Sequence, residues 1–167
     1  MAYAVVRTDK MFGTDVRSGL VSAKYMGAGS SATAIENGNV IKLDSLVSGE
    51  REIYKAVTPA ANDALKDIVL VASPEVMYDE RKHNLDEFIN EAGKIVRGYY
   101  LHENDIFSVT KDALVGTSDP AVGDIVELAA GTKLNVASEA TSSSTQVGKI
   151  IEVADAGKYT YYAIQVD

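Results

Sequence analysis

Residues that could carry catalysis are sparse in this chain. Cysteine is absent, which excludes thiolate nucleophiles and disulfides. Only two histidines occur, His83 and His102, and both fall at polar positions where we expect elements to end. A lone histidine of this kind is more often a surface or structural residue than a general base. The sequence also contains no Gly-x-Ser-x-Gly elbow and no Gly-x-x-x-x-Gly-Lys phosphate loop. We therefore predict no catalytic residue and no enzyme activity.

One glycine-rich stretch matches a relaxed dinucleotide fingerprint. It reads Gly27-Ala28-Gly29-Ser30-Ser31-Ala32. That motif needs a strand before it and a helix after it, so that a pyrophosphate meets the helix N-terminus. Here the tight-turn signal Asn37-Gly38 falls where the helix should be. We therefore expect neither nucleotide binding nor any other cofactor.

Five carboxylates crowd one stretch and raise the question of a metal site: Asp79, Glu80, Asp86, Glu87 and Glu91. They lack the alternating oxygen ligands and central glycine of a dedicated calcium loop. A solvated acidic face explains them better, so we predict no metal site. Paired carboxylates for glycoside hydrolysis stay open in principle, although the chain has no tryptophan to form a sugar platform.

Composition narrows the class of protein. The chain has 167 residues, 46% of them hydrophobic, which suits one domain or one domain with an arm. Its net charge of −8 repels phosphate backbones, so we predict no nucleic-acid partner. No apolar run reaches the length of a membrane span and the N-terminus lacks a signal-peptide pattern. We expect no membrane contact and synthesis in a reducing cytoplasm.

Short apolar runs separated by Gly, Asp and Asn turns indicate antiparallel β structure. The apolar run at residues 67–72 predicts a strand buried on both faces. Residues 84–92 place apolar side chains at helical spacing behind a capping asparagine and predict the one short α-helix. Residues 103–104 and 155–157 suit hairpin turns, and the Ser/Thr-rich loop 138–146 is expected to be exposed and mobile. Other predicted strands span residues 40–43, 52–57, 94–101, 105–110, 124–128, 133–136, 147–153 and 159–166, and residues 19–26 could form one more extended strand.

The first 34 residues differ from the rest. They are rich in Gly, Ser, Ala and Thr, short of large apolar residues, and carry four basic against two acidic side chains. We expect an extended N-terminal arm at residues 1–34 on a β-rich body at residues 35–167. The body could be one barrel- or sandwich-like domain or two lobes at residues 35–82 and 93–167. The predicted fold is thus mainly antiparallel β with one short α-helix and an extended arm.

The body resembles a family of small virion proteins of tailed bacteriophages, most closely those that decorate or cement the capsid. The resemblance lies in turn-and-strand patterns that follow the Gly/Ser-rich N-terminus, at residues 35–43, 73–80, 92–99 and 122–128. It implies a structural protein on the outer surface of an assembled capsid that bridges neighbouring capsid subunits. The implied partners are the major capsid protein and neighbouring copies of this chain, and the implied location is the virion exterior after synthesis in a bacterial host. The family has no catalytic residues to carry over.

An arm on such a body could add a strand to the sheet edge of a neighbouring subunit. The candidate capsid- or partner-binding residues of the arm are Arg7, Lys10, Arg17, Leu20 and Tyr25. Three alternatives stay open: a tail tube or connector subunit, a virion-associated hydrolase that uses Asp or Glu, and a soluble binding module of the host.

Overall fold

The computed structural model describes residues 3–11, 19–29 and 31–167, except for the side chains of Asp9 and Lys10. Within these residues the chain is mainly β, as predicted, with twelve strands in two sheets and three short 3-10 turns. The strands are β1 (Val6–Lys10), β2 (Leu20–Tyr25), β3 (Val40–Leu46), β4 (Ile53–Val57), β5 (Ile68–Val71), β6 (Val96–Tyr100), β7 (Ile106–Val109), β8 (Leu114–Gly116), β9 (Ile125–Leu128), β10 (Leu134–Ala137), β11 (Gln146–Ala156) and β12 (Tyr159–Val166). The 3-10 turns span Leu65–Asp67, Leu85–Glu87 and Lys111–Ala113.

Five strands close into a small barrel in the order β2-β4-β3-β5-β6. Neighbouring strands are antiparallel except β2 and β4, which run parallel. Because side chains alternate between the two faces of a strand, Val21, Ala23 and Tyr25 of β2 fill the barrel interior. Leu20 and Ser22 of the same strand are exposed on the outer face.

The other seven strands form an open sheet in the order β1-β7-β12-β11-β9-β10-β8. All neighbours are antiparallel except β8 and β10. Strands β11 and β12 make the longest hairpin, and Gly157 turns it with a φ of 70°. This confirms the turn predicted at residues 155–157. At Gly148 of β11 an added Cβ would lie 1.9 Å from the Gln165 carbonyl oxygen, so the close approach of β12 requires glycine there.

Strand β5 joins the two hydrophobic cores. Ile68 and Leu70 pack into the core between the barrel and the seven-stranded sheet, which also contains Phe107. Val69 and Val71 face the opposite way and fill the barrel. All four β5 residues are fully buried, which confirms the prediction of a strand buried on both faces.

The predicted helix at residues 84–92 is wrong. Only the turn Leu85–Glu87 is helical, and Phe88 already has extended φ and ψ of −83° and 135°. The capping signal is real, because the Glu87 carboxylate accepts bonds from the backbone N–H groups of His83 and Asn84. The backbone of Asn90 then pairs with Ile35 in an isolated bridge, with N–O distances of 2.9 and 3.0 Å. This tertiary pairing requires an extended chain and overrides the helical spacing of the apolar residues.

The predicted separate arm is corrected as well. Its described residues are extended, but they belong to both sheets. Strand β1 pairs with β7 at the edge of the seven-stranded sheet, and β2 lies between β4 and β6 in the barrel. Ala4, Val5 and Val21 are no more than 9% exposed. Small apolar side chains therefore anchor this segment in the fold, although it has few large ones.

Candidate functional site

A large cleft lies beside a long irregular segment, residues 73–95, that connects β5 to β6. Its volume is about 630 Å³. Side chains of this segment line it together with Ser22 of β2 and Arg97 of β6. A long connection with little regular structure in a compact domain often carries function. We call this region the 73–97 cleft.

A buried polar network holds the base of the cleft in place. The Asn37 side chain donates to the Ser73 carbonyl at 2.8 Å and accepts from the Ser73 N–H at 3.0 Å. The Asn90 side chain donates to Asn37 at 3.0 Å and to the Ile35 carbonyl at 3.1 Å. The Ser73 hydroxyl accepts from the Arg97 N–H at 3.0 Å. The irregular segment is therefore fixed to the barrel at both ends by satisfied, buried polar groups.

Apolar side chains are exposed along the cleft. Tyr78 is 95% exposed, Val76 58% and Ile95 51%. Leu20, which is 46% exposed, follows on the outer face of β2, where it pairs in register with Tyr99. Exposed tyrosine and aliphatic groups around one concavity are typical of protein contact surfaces.

The cleft carboxylates are mostly engaged within the chain. Asp79 accepts two bonds from the Arg81 guanidinium, at 2.9 and 3.0 Å, which hold the pKa of Asp79 below its usual value. The backbone N–H groups of Asn84 and His83 lower the pKa of Glu87 in the same way. Both groups are stabilised as anions, and their in-chain partners make them poor candidates for proton transfer.

The cleft cations are not engaged in this way. Lys82, Lys94 and Arg97 line the cleft and form no ion pair with any residue that the structure describes. On the outer barrel face, Lys24 of β2 lies in register beside Lys55 of β4, and neither has an ion-pair partner among the described residues. The lining of the cleft is formally balanced, with these three cations against Asp79, Glu87 and Glu91, and Lys24 and Lys55 add positive charge on the adjoining barrel face.

A smaller recess of about 280 Å³ lies on the other side of the Leu85–Glu87 turn. There Asp86 accepts bonds from the Lys158 ammonium at 2.8 Å and the Tyr159 hydroxyl at 2.9 Å. The Lys158 bond lowers the pKa of Asp86, and Asp86 in turn raises the pKa of Lys158. These contacts join the irregular segment to the tip of the β11–β12 hairpin.

Of the five predicted partner-binding residues, the three whose side chains the structure describes, Arg7, Leu20 and Tyr25, have different surroundings. Arg7 of β1 lies over the Tyr161 ring, 4.8 Å from its centroid, and Tyr25 is buried in the barrel with its hydroxyl 2.7 Å from that of Thr58. Leu20 is 46% exposed on the outer face of β2, two residues before Ser22, which lines the 73–97 cleft. The Lys10 side chain and all of Arg17 lie outside the described residues.

Sequence reasoning missed two features. The first is the cleft, whose signal was apolar residues such as Val76 and Tyr78 in a stretch without helical or strand periodicity. The second is Glu127 of β9, which is fully buried. Its Oε1 accepts the Thr141 N–H of loop 138–146, and its Oε2 has no partner among the described residues. Alternation along β9 would have placed this glutamate in solvent, but the folded-back loop covers it.

Three of the five carboxylates of residues 79–91 have separate partners: Asp79 bonds Arg81, Asp86 bonds Lys158 and Tyr159, and Glu87 accepts backbone N–H bonds. Among the residues that the structure describes, no three histidine, aspartate or glutamate side chains gather closely enough to hold a metal ion. No helix in the described ranges has the length and apolar character needed to cross a membrane. Comparisons with protein-family models, curated proteins and solved structures found no match.

Proposed function

We propose that the protein is a structural component of a tailed-phage virion that binds the outer surface of the capsid and bridges neighbouring capsid subunits. The observation that carries the proposal is the 73–97 cleft, where exposed Tyr78, Val76 and Ile95 stand on a buried polar base. The phage assignment itself comes from the sequence resemblance. The proposed partners are the major capsid protein and neighbouring copies of this chain.

The chemistry of the cleft supports a protein contact. Tyrosine combines apolar area with a polar tip and is enriched where partners are anchored. The side chains are held on a segment whose ends are fixed by the Asn37 network, so little conformational entropy is lost when a partner binds. On a capsid, many identical copies would convert weak single contacts into firm retention.

The test is binding to phage particles that lack the protein. Wild-type protein is expected to co-sediment with such particles up to a fixed ratio to the major capsid protein. A Tyr78→Ser/Ile95→Ser variant should bind at least about tenfold more weakly, since each change removes an exposed apolar anchor. The matched control is Val122→Ser/Val153→Ser, two exposed valines that do not line the cleft, and it should bind like wild type.

Two outcomes would reject the proposal. If the protein is absent from purified virions and does not bind particles, it is not a virion component. If the purified protein forms six-fold rings that assemble with tails and leave heads bare, the tail or connector alternative replaces capsid decoration. Deletion of residues 1–34 is not a usable test, because it would remove β1 from one sheet and β2 from the other.

A further inference from the structure

We infer that the 73–97 cleft and the adjoining outer face of the barrel bind an extended acidic protein segment that carries at least one large apolar side chain. This inference rests on the proposed function in taking the partner to be a protein, and it adds the chemical nature of the segment that is bound. The inference depends on three features: the charged side chains of this surface, the exposed apolar side chains Val76, Tyr78 and Ile95 at the rim of the cleft, and the closed barrel.

The first argument is charge complementarity. Lys82, Lys94 and Arg97 line the cleft without an ion pair among the described residues. Of the three carboxylates that also line it, Asp79 is paired with the Arg81 guanidinium, and Glu87 accepts two backbone N–H bonds. With Arg81, Lys24 and Lys55 included, the cleft and the adjoining barrel face have six cations against the three carboxylates that line the cleft, on a chain with a net charge of −8. Carboxylates of a partner could form ion pairs with these cations, whereas a basic partner would be repelled by them.

The positive surface extends beyond the cleft. Ser22 and Arg97 are register partners on β2 and β6, and both line the cleft. Two residues further along β2, Lys24 lies beside Lys55 of β4 on the same outer face. Cations thus extend from the cleft across the neighbouring strands β6, β2 and β4. An extended partner segment with several spaced carboxylates could pair with them along this line.

The second argument is the apolar rim. Tyr78, Val76 and Ile95 are exposed together beside a cavity of about 630 Å³, which is within the range that accommodates one or two large side chains. An apolar residue of the partner can fill this space while flanking carboxylates reach Lys82 and Arg97. The combination fits a protein segment better than a nucleic acid, because phosphate backbones would leave the aliphatic groups uncovered.

The third argument concerns the mode of binding. The barrel strands β2, β4 and β6 each have two neighbours, so the barrel offers no free edge for an added strand. Recognition at this face must then come from side chains rather than from strand pairing. Side-chain recognition makes affinity depend on the partner's charge and on one anchor, and both can be measured.

The experiment is a selection from a library of short random peptides on the immobilised full-length protein. Peptides rich in Asp and Glu around a Leu, Phe or Tyr are expected to be enriched. Their affinity should fall at least about tenfold for Lys94→Glu/Arg97→Glu and should weaken as salt is raised. The matched control is Lys66→Glu/Lys149→Glu, which makes the same change in net charge away from the cleft and should bind within about twofold of wild type.

Several results would overturn the inference. These are no enrichment at all, enrichment of neutral or basic peptides, or equal binding to the Lys94→Glu/Arg97→Glu variant. Displacement of the selected peptide by oligo-deoxythymidine at a similar concentration would show a nucleic-acid surface instead. Circular dichroism of each variant checks that it is folded.

The selection uses no virus, so its outcome is separate from that of the particle-binding test. If acidic peptides bind as expected but the protein is absent from virions, the binding surface stands and the capsid assignment fails. If the protein loads onto particles but selects no acidic peptide, capsid binding stands and the acidic-segment inference fails.

Discussion

Replacing Asn37 with alanine should weaken the whole base of the cleft. The asparagine is 1% exposed and partners both the N–H and the carbonyl of Ser73, which is itself only 9% exposed. Alanine would leave these two buried backbone groups unpaired, at about 1–3 kcal/mol each. Asn90 would lose one bond but keep its bond to Ile35. The expected loss in the free energy of unfolding is therefore about 2–6 kcal/mol, which is within the stability of an ordinary domain.

Urea unfolding followed by circular dichroism measures this loss, with the slope checked for a two-state transition. The matched control is Asn62→Ala, an exposed asparagine, which should lie within about 0.5 kcal/mol of wild type. The Asn37→Ala protein should also bind capsid particles and acidic peptides more weakly, because its cleft is no longer fixed. A loss below about 1 kcal/mol for Asn37→Ala would refute the assignment of the network as the support of the cleft.

Three further changes have defined outcomes. Gly148→Ala forces a Cβ into the backbone of β12 and should destabilise by about 3 kcal/mol in urea unfolding, whereas Gly131→Ala, with open space around it, should be nearly neutral. Because the pKa of Asp86 is lowered in the folded state, its ionised carboxylate stabilises the fold. This contribution to the free energy of unfolding is complete above the ordinary pKa of about 3.9 and is lost as pH falls through the folded-state pKa. The stability gap between wild type and Asp86→Asn should thus narrow during acid titration, and a constant gap would contradict the lowered pKa. Glu127→Ala should speed hydrogen exchange of the Thr141 amide at least about tenfold, while Glu127→Gln keeps an acceptor and should leave it protected, so equal exchange in both variants would count against this bond.

Most strands could be predicted because their apolar residues alternate or run together between turn residues. The run at Ile68–Val71 is the clearest case, since four consecutive apolar residues can be buried only between two layers. Strands β6, β7, β9, β10, β11 and β12 all form within a few residues of the predicted ranges. Strands β1 and β8 were missed. The short β8, Leu114–Gly116, is too small to give a pattern, and it is recognisable only from its parallel pairing with β10.

The remaining errors concern the tertiary pairing of chain segments, which local sequence signals do not determine. The turn at residues 103–104 does form, with Asn104 at a φ of 67°, but it leads from the barrel to the other sheet and is no hairpin. Local turn chemistry is the same in both cases, so the sequence cannot distinguish them. The helical spacing at residues 84–92 failed for a related reason, because the competing partner, Ile35, is remote in sequence.

The candidate site was the least predictable part. Its cations and apolar groups come from β2, β4, β6 and the irregular segment 73–95, and only the closed barrel places them side by side. Leu20 was predicted to belong to a separate arm, whereas the fold places it, exposed, on the outer face of barrel strand β2. Charge counted along the chain indicates an acidic protein, whereas the fold brings Lys24, Lys55 and Arg97 to neighbouring strands of one barrel face.

The split of the first two strands between the sheets constrains the order of folding during synthesis. All five barrel strands have been made once the ribosome passes Tyr100, so the barrel can close early. Strand β1 must wait for β7, about a hundred residues later, and β7 in turn pairs with β12, the last strand made. Until then the barrel displays Val40, Ile68 and Leu70, which the seven-stranded sheet later covers. The nascent chain therefore passes through a stage with one finished half and an uncovered apolar surface, when association with another unfinished chain is most favourable.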